Sequence, residues 1–246
     1  MPRKPRFLLP GVPVHVVQRG NNRQPIFFED DERRAYLGWL AEAAERWGCA
    51  IHAYVLMTNH VHLLATPSDV EGMGRMMQYL GRRYVPFVNR RHRRSGTLWE
   101  GRYKASLVES EGYLLICHRY IESNPVRAGM GKTPAAYPWS SYARNADGAE
   151  DPLITEHALY TALGASAGER RKAYRELFRT VPEKDATRAI RACLQTGTPL
   201  GTAGFRERIE RTLGVRVGQS RRGRPRRASP AEHSTVPEVS GRPPGG

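Results

Sequence analysis

Three cysteines, Cys49, Cys117 and Cys193, are scattered through 246 residues. They are too few and too far apart for a disulfide framework, and no CxxC pair offers a zinc motif. The expected setting is a reducing cytoplasm with buried thiols. Long apolar runs are also lacking. The stretch from Phe7 to Val17 is broken by Pro10 and Pro13 and is followed by no small-residue cleavage site, so it reads as neither a signal peptide nor a membrane span. No membrane partner is expected. The Gly-Phe-Val aromatic pattern with which RNA-recognition sheets stack bases is absent as well, which counts against a purely binding sheet module. Acidic side chains are in deficit, 24 Asp and Glu against 39 Lys and Arg, for a formal charge of +15. That excess suggests a polyanionic partner, because each neutralised phosphate releases condensed counterions.

The positive charge is clustered. Arg82, Arg83, Arg90, Arg91, Arg93 and Arg94 form one group, and Arg221, Arg222, Arg224, Arg226 and Arg227 form another near the C-terminus. Clustering of this kind favours nucleic acid over general solubility.

Hydrophobic period and turn chemistry divide the chain. Val12 to Gln18 reads as a strand between Gly11 and Gly20-Asn21-Asn22. Asp30 and Asp31 offer N-caps to a helix that carries Tyr36, Trp39, Leu40, Ala43, Ala44 and Trp47 and stops at Gly48. Ala50 to Met57 and His60 to Thr66 read as strands joined by Thr58-Asn59. Met73, Met76, Met77, Leu80, Tyr84, Phe87 and Val88 mark a second helix kinked at Pro86, with the methionines as core filler. Tyr103 to Val108 is a fourth strand, and Ser110 caps a third helix that Pro125 ends after Asn124.

The order β-α-β-β-α-β-α predicts an α+β fold: a ferredoxin-like antiparallel four-stranded sheet with helices on one face plus an added helix. A small helical C-terminal region follows, with helices near 155–163, 167–179, 185–194 and 202–213. The expected division is residues 1–145 as catalytic domain, 146–214 as helical region and 215–246 as a disordered basic Arg/Pro/Gly-rich tail.

Chemistry concentrates at Thr58-Asn59-His60-Val61-His62-Leu63-Leu64. On a strand, side chains at i and i+2 leave the same face, so His60 and His62 form half of a divalent-metal site. On the third helix Tyr113, Ile116, Tyr120 and Asn124 form a stripe in which Tyr120 and Asn124 are one turn apart. If that helix crosses the sheet near the histidines, Asn124 completes a three-ligand site for Mg²⁺ or Mn²⁺ and Tyr120 stands over it as nucleophile. A free phenol has a pKa near 10, so about one in a thousand is ionised at pH 7. A metal helps by polarising a scissile phosphate and shielding charge during attack. Tyrosine attack also conserves the bond energy in a phosphotyrosyl linkage, so the strand can be rejoined elsewhere.

Four segments carry a resemblance. Gln18-Arg19-Gly20-Asn21-Asn22-Arg23, Thr58 to Leu63, Leu98-Trp99-Glu100-Gly101-Arg102-Tyr103-Lys104 and Arg119 to Gly129 together resemble the REP-associated tyrosine transposases, of the single-tyrosine HUH transposase superfamily. The resemblance is close from residue 8 to about 145. It implies His60 and His62 as metal ligands, Tyr120 as nucleophile and Asn124 as third ligand, where the superfamily more often has the longer Gln. It also implies cleavage of single-stranded DNA beside a REP-like hairpin, leaving a 5′-phosphotyrosine and a free 3′-OH, in a cytoplasmic, nucleoid-associated protein. Arg19, Arg23, Trp99, Arg102 and Lys104 are candidate DNA contacts. So are Arg222, Arg224 and Arg226, in a segment that resembles an AT-hook core for a narrow A·T minor groove.

Three other readings stay open at this level. One is a ferredoxin-like module that binds RNA or DNA without chemistry, and another is a zinc phosphoesterase drawing on Cys49 or His52. The third is a domesticated transposase that serves as a non-cleaving regulator. Monomer and dimer are equally compatible with the sequence.

Overall fold

Alternating side chains in Val14–Arg19 (β1) give this strand a different role on each face. In the computed structural model, which describes residues 6–179 and 184–217, β1 is central. It pairs with His60–Pro67 (β3) on one edge and Lys104–Leu107 (β4) on the other, and Cys49–Met57 (β2) completes the sheet. The strand order is β2-β3-β1-β4 and every neighbour is antiparallel, which is the expected ferredoxin-like plan.

Asp30–Arg46 (α1) and Gly72–Arg91 (α2) cover one face of the sheet. Val14, Val16, Leu56, Val61, Leu63 and Ala65 meet Tyr36, Leu40, Met73, Met76 and Leu80 there, so the methionines do fill the core. The opposite face takes the added helix, Ser110–Glu122 (α3): Ala53, Val55, Met57 and Leu64 pack against Leu114, Cys117, Tyr120 and Ile121.

Several details differ from the sequence reading. Helix α1 is capped by Glu29 in a capping box with Glu32, not by Asp30 or Asp31. Ser110 does not cap α3; Glu109 precedes it, and the first turn is broken at Glu111 and Gly112. Glu109 instead accepts hydrogen bonds from Thr202, at 2.6 Å from the backbone nitrogen and 3.0 Å from the hydroxyl. Ile116 is exposed, so the face of α3 that meets the sheet is Leu114, Cys117, Tyr120 and Ile121 rather than the expected Tyr113-Ile116-Tyr120 stripe. Pro125 does not end the helical stretch. A break at Ser123 is followed by the short helix Asn124–Arg127 (α4), in whose first turn a proline is tolerated.

The later helices are Ala158–Thr161 (α5), Ala167–Glu176 (α6), Lys184–Thr196 (α7) and Ala203–Leu213 (α8). Ile190, Cys193 and Leu194 of α7 join the α3-side core, and α7 packs on β4, β1 and α3. Phe205 and Ile209 of α8 join the other core. All three thiols are free and buried, and burial pushes Cys49 up to about 11. Among the described residues no helix is long and apolar enough to cross a membrane. Arg222, Arg224, Arg226 and the rest of the tail beyond residue 217 lie outside the described residues.

Behind α3 lies a buried polar knot. The Glu122 carboxylate accepts from the Ser141 hydroxyl (2.5 Å), the Asn145 amide (2.9 Å) and the Tyr174 hydroxyl (2.7 Å). Burial outweighs these three donors and raises its pKa from 4.5 to about 7. Because the folded value is the higher one, the stability Glu122 contributes is fully present below pH 4.5 and is lost as pH rises through about 7. Glu122→Gln is therefore expected to flatten the fall in unfolding free energy between about pH 5 and pH 8 by on the order of 2 kcal/mol, read from denaturant melts at the two pH values.

Candidate active site on the α3 face of the sheet

Strand alternation brings three histidines, not two, onto the face that α3 covers. Val17 lies opposite His62 and Arg19 opposite His60, so His15 and Val17 share the face of His60, His62 and Leu64. His15 Nε2 and His62 Nδ1 are 2.8 Å apart, with ring centroids 5.0 Å apart and nearly stacked. The His60 and His62 rings are also 5.0 Å apart, edge to face.

The second partner of His60 is set by a loop. Asn59 Nδ2 donates to the Arg23 carbonyl at 2.9 Å, which turns Asn59 Oδ1 toward His60 Nδ1 at 2.6 Å. An amide oxygen only accepts, so His60 carries its proton on Nδ1 and keeps a lone pair on Nε2. The Arg23 carbonyl is presented by a left-handed pair, Asn22 (φ 51°) and Arg23 (φ 59°). Gly20 opens this loop, and a Cβ there would lie 2.3 Å from the Gln24 carbonyl oxygen. The Gln18-to-Arg23 motif thus has a structural task that its spelling does not reveal.

Burial holds the three imidazoles neutral. It lowers His15 to about 3 with a contribution from Arg127, and His60 to about 4 with contributions from Arg19 and Arg127. His62 is pushed well below its usual value, by burial first and then by His15, His60, Arg127 and Arg191. Neutral imidazoles are the form that ligates metal. When His62 bears its proton on Nδ1, it donates to His15 Nε2 and leaves its own Nε2 as a ligand; His15 Nδ1 is buried without a partner.

Tyr120 completes the cluster. It is 4% exposed, and its ring stands edge-on to both His62 and His15, with 5.7 Å between centroids in each case. Its carbonyl, freed by the break at Ser123, accepts from Asn124 Nδ2 at 3.2 Å and from Arg127 Nη2 at 2.9 Å. The structure therefore brings Tyr120 to His62 as expected. Asn124 is half-buried beyond the break and is not hydrogen-bonded to either histidine; its amide nitrogen is engaged, which leaves Oδ1 as the available donor atom. Two imidazole Nε2 atoms and an amide oxygen are a chemically suitable set for Mn²⁺ or Mg²⁺. Among the described residues no three His, Cys, Asp or Glu side chains are grouped as a metal site.

Comparison with known proteins adds the lineage. Residues 10–124, which contain β1 to β4 and end at Asn124, match the family described as "Transposase IS200 like". These residues are similar to IS200-like transposases. The resemblance read from the four motifs is thus borne out. A solved REP-associated tyrosine transposase bound to a REP hairpin shares the fold, at 16% identity over 65% of this chain and 93% of the other, with a TM-score of 0.51. A candidate transposase from Deinococcus radiodurans R1 overlaps 52% of this chain and 92% of its own at 20% identity, but its TM-score of 0.34 carries no argument. No curated protein matches the chain.

The expected DNA contacts sit in different environments. Arg19 is paired with Glu100 at 2.6 Å, and Lys104 donates to Gln195 of α7. Arg23 and Arg102 are exposed. Trp99 is half-buried, stacked on Tyr84 with 6.0 Å between centroids. In the arginine cluster, Arg91 is tied to Glu29, whereas Arg82, Arg83, Arg90 and Arg93 are exposed. The zinc alternative loses His52, which uses both ring nitrogens, on the Thr155 carbonyl and the Thr66 hydroxyl, each at 2.8 Å. His15 is the functional residue that the sequence reading missed, and its signal was a third polar residue of matching parity on the neighbouring strand. His15→Ala is expected to weaken Mn²⁺ binding by about 10- to 100-fold in calorimetric titration, as loss of an orienting partner does. Unchanged affinity would remove His15 from that role.

Proposed function

We propose that this chain cuts and rejoins single-stranded DNA beside a hairpin, with Tyr120 as nucleophile. The observation that carries the reading is the Tyr120 ring set edge-on against His62, on a sheet face where both it and the histidine are shielded from water. The match of residues 10–124 to a transposase family supports the reaction class, and the similar solved structure bound to a REP hairpin supports a hairpin as partner.

In the cutting step a bond forms between Tyr120 Oη and the scissile phosphorus as the bond to the 3′ oxygen breaks. The phenol proton is lost and the 3′ oxygen gains one, giving a 5′-phosphotyrosine and a free 3′-OH. Attack by another strand's 3′-OH reverses the chemistry and releases Tyr120. His60 and His62 through Nε2, and Asn124 through Oδ1, are the groups that would hold Mg²⁺ or Mn²⁺, which polarises the phosphate and shields charge when bound. His15 and Asn59 keep the two ligand rings in the required tautomer and orientation. Burial of Tyr120 between α3 and the sheet disfavours hydrolysis, which would discard the energy needed for rejoining. Residues 1–145 carry this chemistry and residues 146–214 brace it.

Labelled hairpin-bearing single-stranded DNA incubated with the protein and Mn²⁺ should give an SDS-stable adduct. Tyr120→Phe should abolish the adduct while hairpin binding persists. His60→Ala and His62→Ala should each lower its rate by about 100-fold or more. An adduct that survives in Tyr120→Phe places the nucleophile elsewhere. Tight hairpin binding by the wild type with no adduct on any substrate favours the non-cleaving regulator.

A further inference from the structure

Arg127 is a cation without a counter-ion in the middle of this site. Its Nη2 donates to the Tyr120 carbonyl at 2.9 Å, and its guanidinium carbon lies 4.2 Å from the centre of the Tyr120 ring. Nε and Nη1 are buried and make no hydrogen bond, and no carboxylate among the described residues forms an ion pair with it. The groups around it offer no negative charge. His15 and His62 are neutral, and Arg191 of α7 adds a second positive charge. Burial first, and then Arg191, disfavour the charged guanidinium, against a favourable contribution from Tyr120. Arginine nevertheless stays protonated. A shielded charge with nothing to balance it is an expensive feature to keep unless an anion arrives.

We propose that Arg127 supplies the counter-charge for the scissile phosphate. This rests on the reading of Tyr120 as nucleophile. Fixed to the carbonyl and the ring of that residue, the guanidinium travels with the phenol. It offsets the negative charge that gathers on the non-bridging phosphate oxygens as Tyr120 Oη closes on phosphorus. The same charge serves the reverse step, in which Tyr120 leaves as phenolate. Arginine suits the post better than lysine because a planar guanidinium can lie on an aromatic face while donating in its own plane to a carbonyl. Arg127 thus acts on the phosphate directly, and its hold on Tyr120 fixes where the charge sits. The competing account is a clamp that only satisfies the carbonyl exposed where α3 breaks.

The two accounts separate when the charge is removed from the substrate. Adduct formation is measured for wild type, Arg127→Ala and Arg127→Lys on a hairpin substrate with an ordinary scissile phosphodiester. It is measured again with a methylphosphonate there, whose methyl group replaces one charged oxygen; hairpin affinity is measured alongside. Arg127→Ala is expected to slow phosphodiester cleavage by about 100-fold or more with hairpin affinity within about 3-fold, while on methylphosphonate it trails wild type by less than about 5-fold. Added guanidinium ion should restore part of the lost rate. Equal slowing on both substrates, or no slowing on either, overturns the proposal. Should Arg127→Ala lose hairpin binding through misfolding, Arg127→Lys decides: a loss confined to the phosphodiester supports the counter-charge, and an equal loss on both rejects it. A wild type that forms no adduct with the phosphodiester fails the reading of Tyr120 itself, and the proposal falls with it.

Discussion

The hydrogen-bonded register of β3 between β1 and β2 sets Val17 opposite His62 and Arg19 opposite His60, and the position of each reactive side chain follows from it. Side chains repeat every two residues, so a one-residue slip would turn His60 and His62 into the methionine-rich core and Val61 and Leu63 toward α3. The apolar packing of Val61, Leu63 and Ala65 against α1 and α2 disfavours that slip. The same contacts that stabilise one face thereby aim the chemistry of the other, with no separate energetic cost for aiming it.

The α3 face has to reconcile burial with polarity. Two imidazoles and a phenol are removed from water there and a third imidazole, His60, is half-buried, and each must find partners or remain neutral. The solution is local. Asn59 serves His60, His15 serves His62, and the break after Glu122 lets the Tyr120 carbonyl take two donors instead of one helical bond. On the far side of α3, Glu122 is satisfied by three donors, so the helix that carries Tyr120 is fastened from behind as well as from the sheet. Rigidity at Tyr120 comes from hydrogen bonds at a helix end as much as from apolar contact.

Much of this was legible in the residues. Period-two alternation located β1, β2 and β3 to within two residues, and the order of elements gave the sheet topology. The shared face of His60 and His62 followed from their spacing alone. The rest depended on contacts distant in sequence. His15 lies 47 positions from its partner and is joined to it only through strand pairing. The break at Ser123 was hidden because a proline reads equally as the end of one helix or the first turn of another. Ile116 matched the helical stripe, but the sheet meets α3 through Leu114, Cys117 and Ile121, which rotates Ile116 outward. Paired arginines such as Arg19 and Arg91 cannot be told from free ones until their carboxylates are located.

Helix α7 has a consequence for the order in which the molecule becomes complete. Its residues Ile190, Cys193 and Leu194 close the core that Tyr120 belongs to, yet they are synthesised well after the histidines and the tyrosine. Without α7 the flank of the sheet beside β4 and β1 would be uncovered. Hydrophobic closure of this face requires α7. A product truncated before α7 keeps Tyr120 and the histidines but lacks the wall beside them.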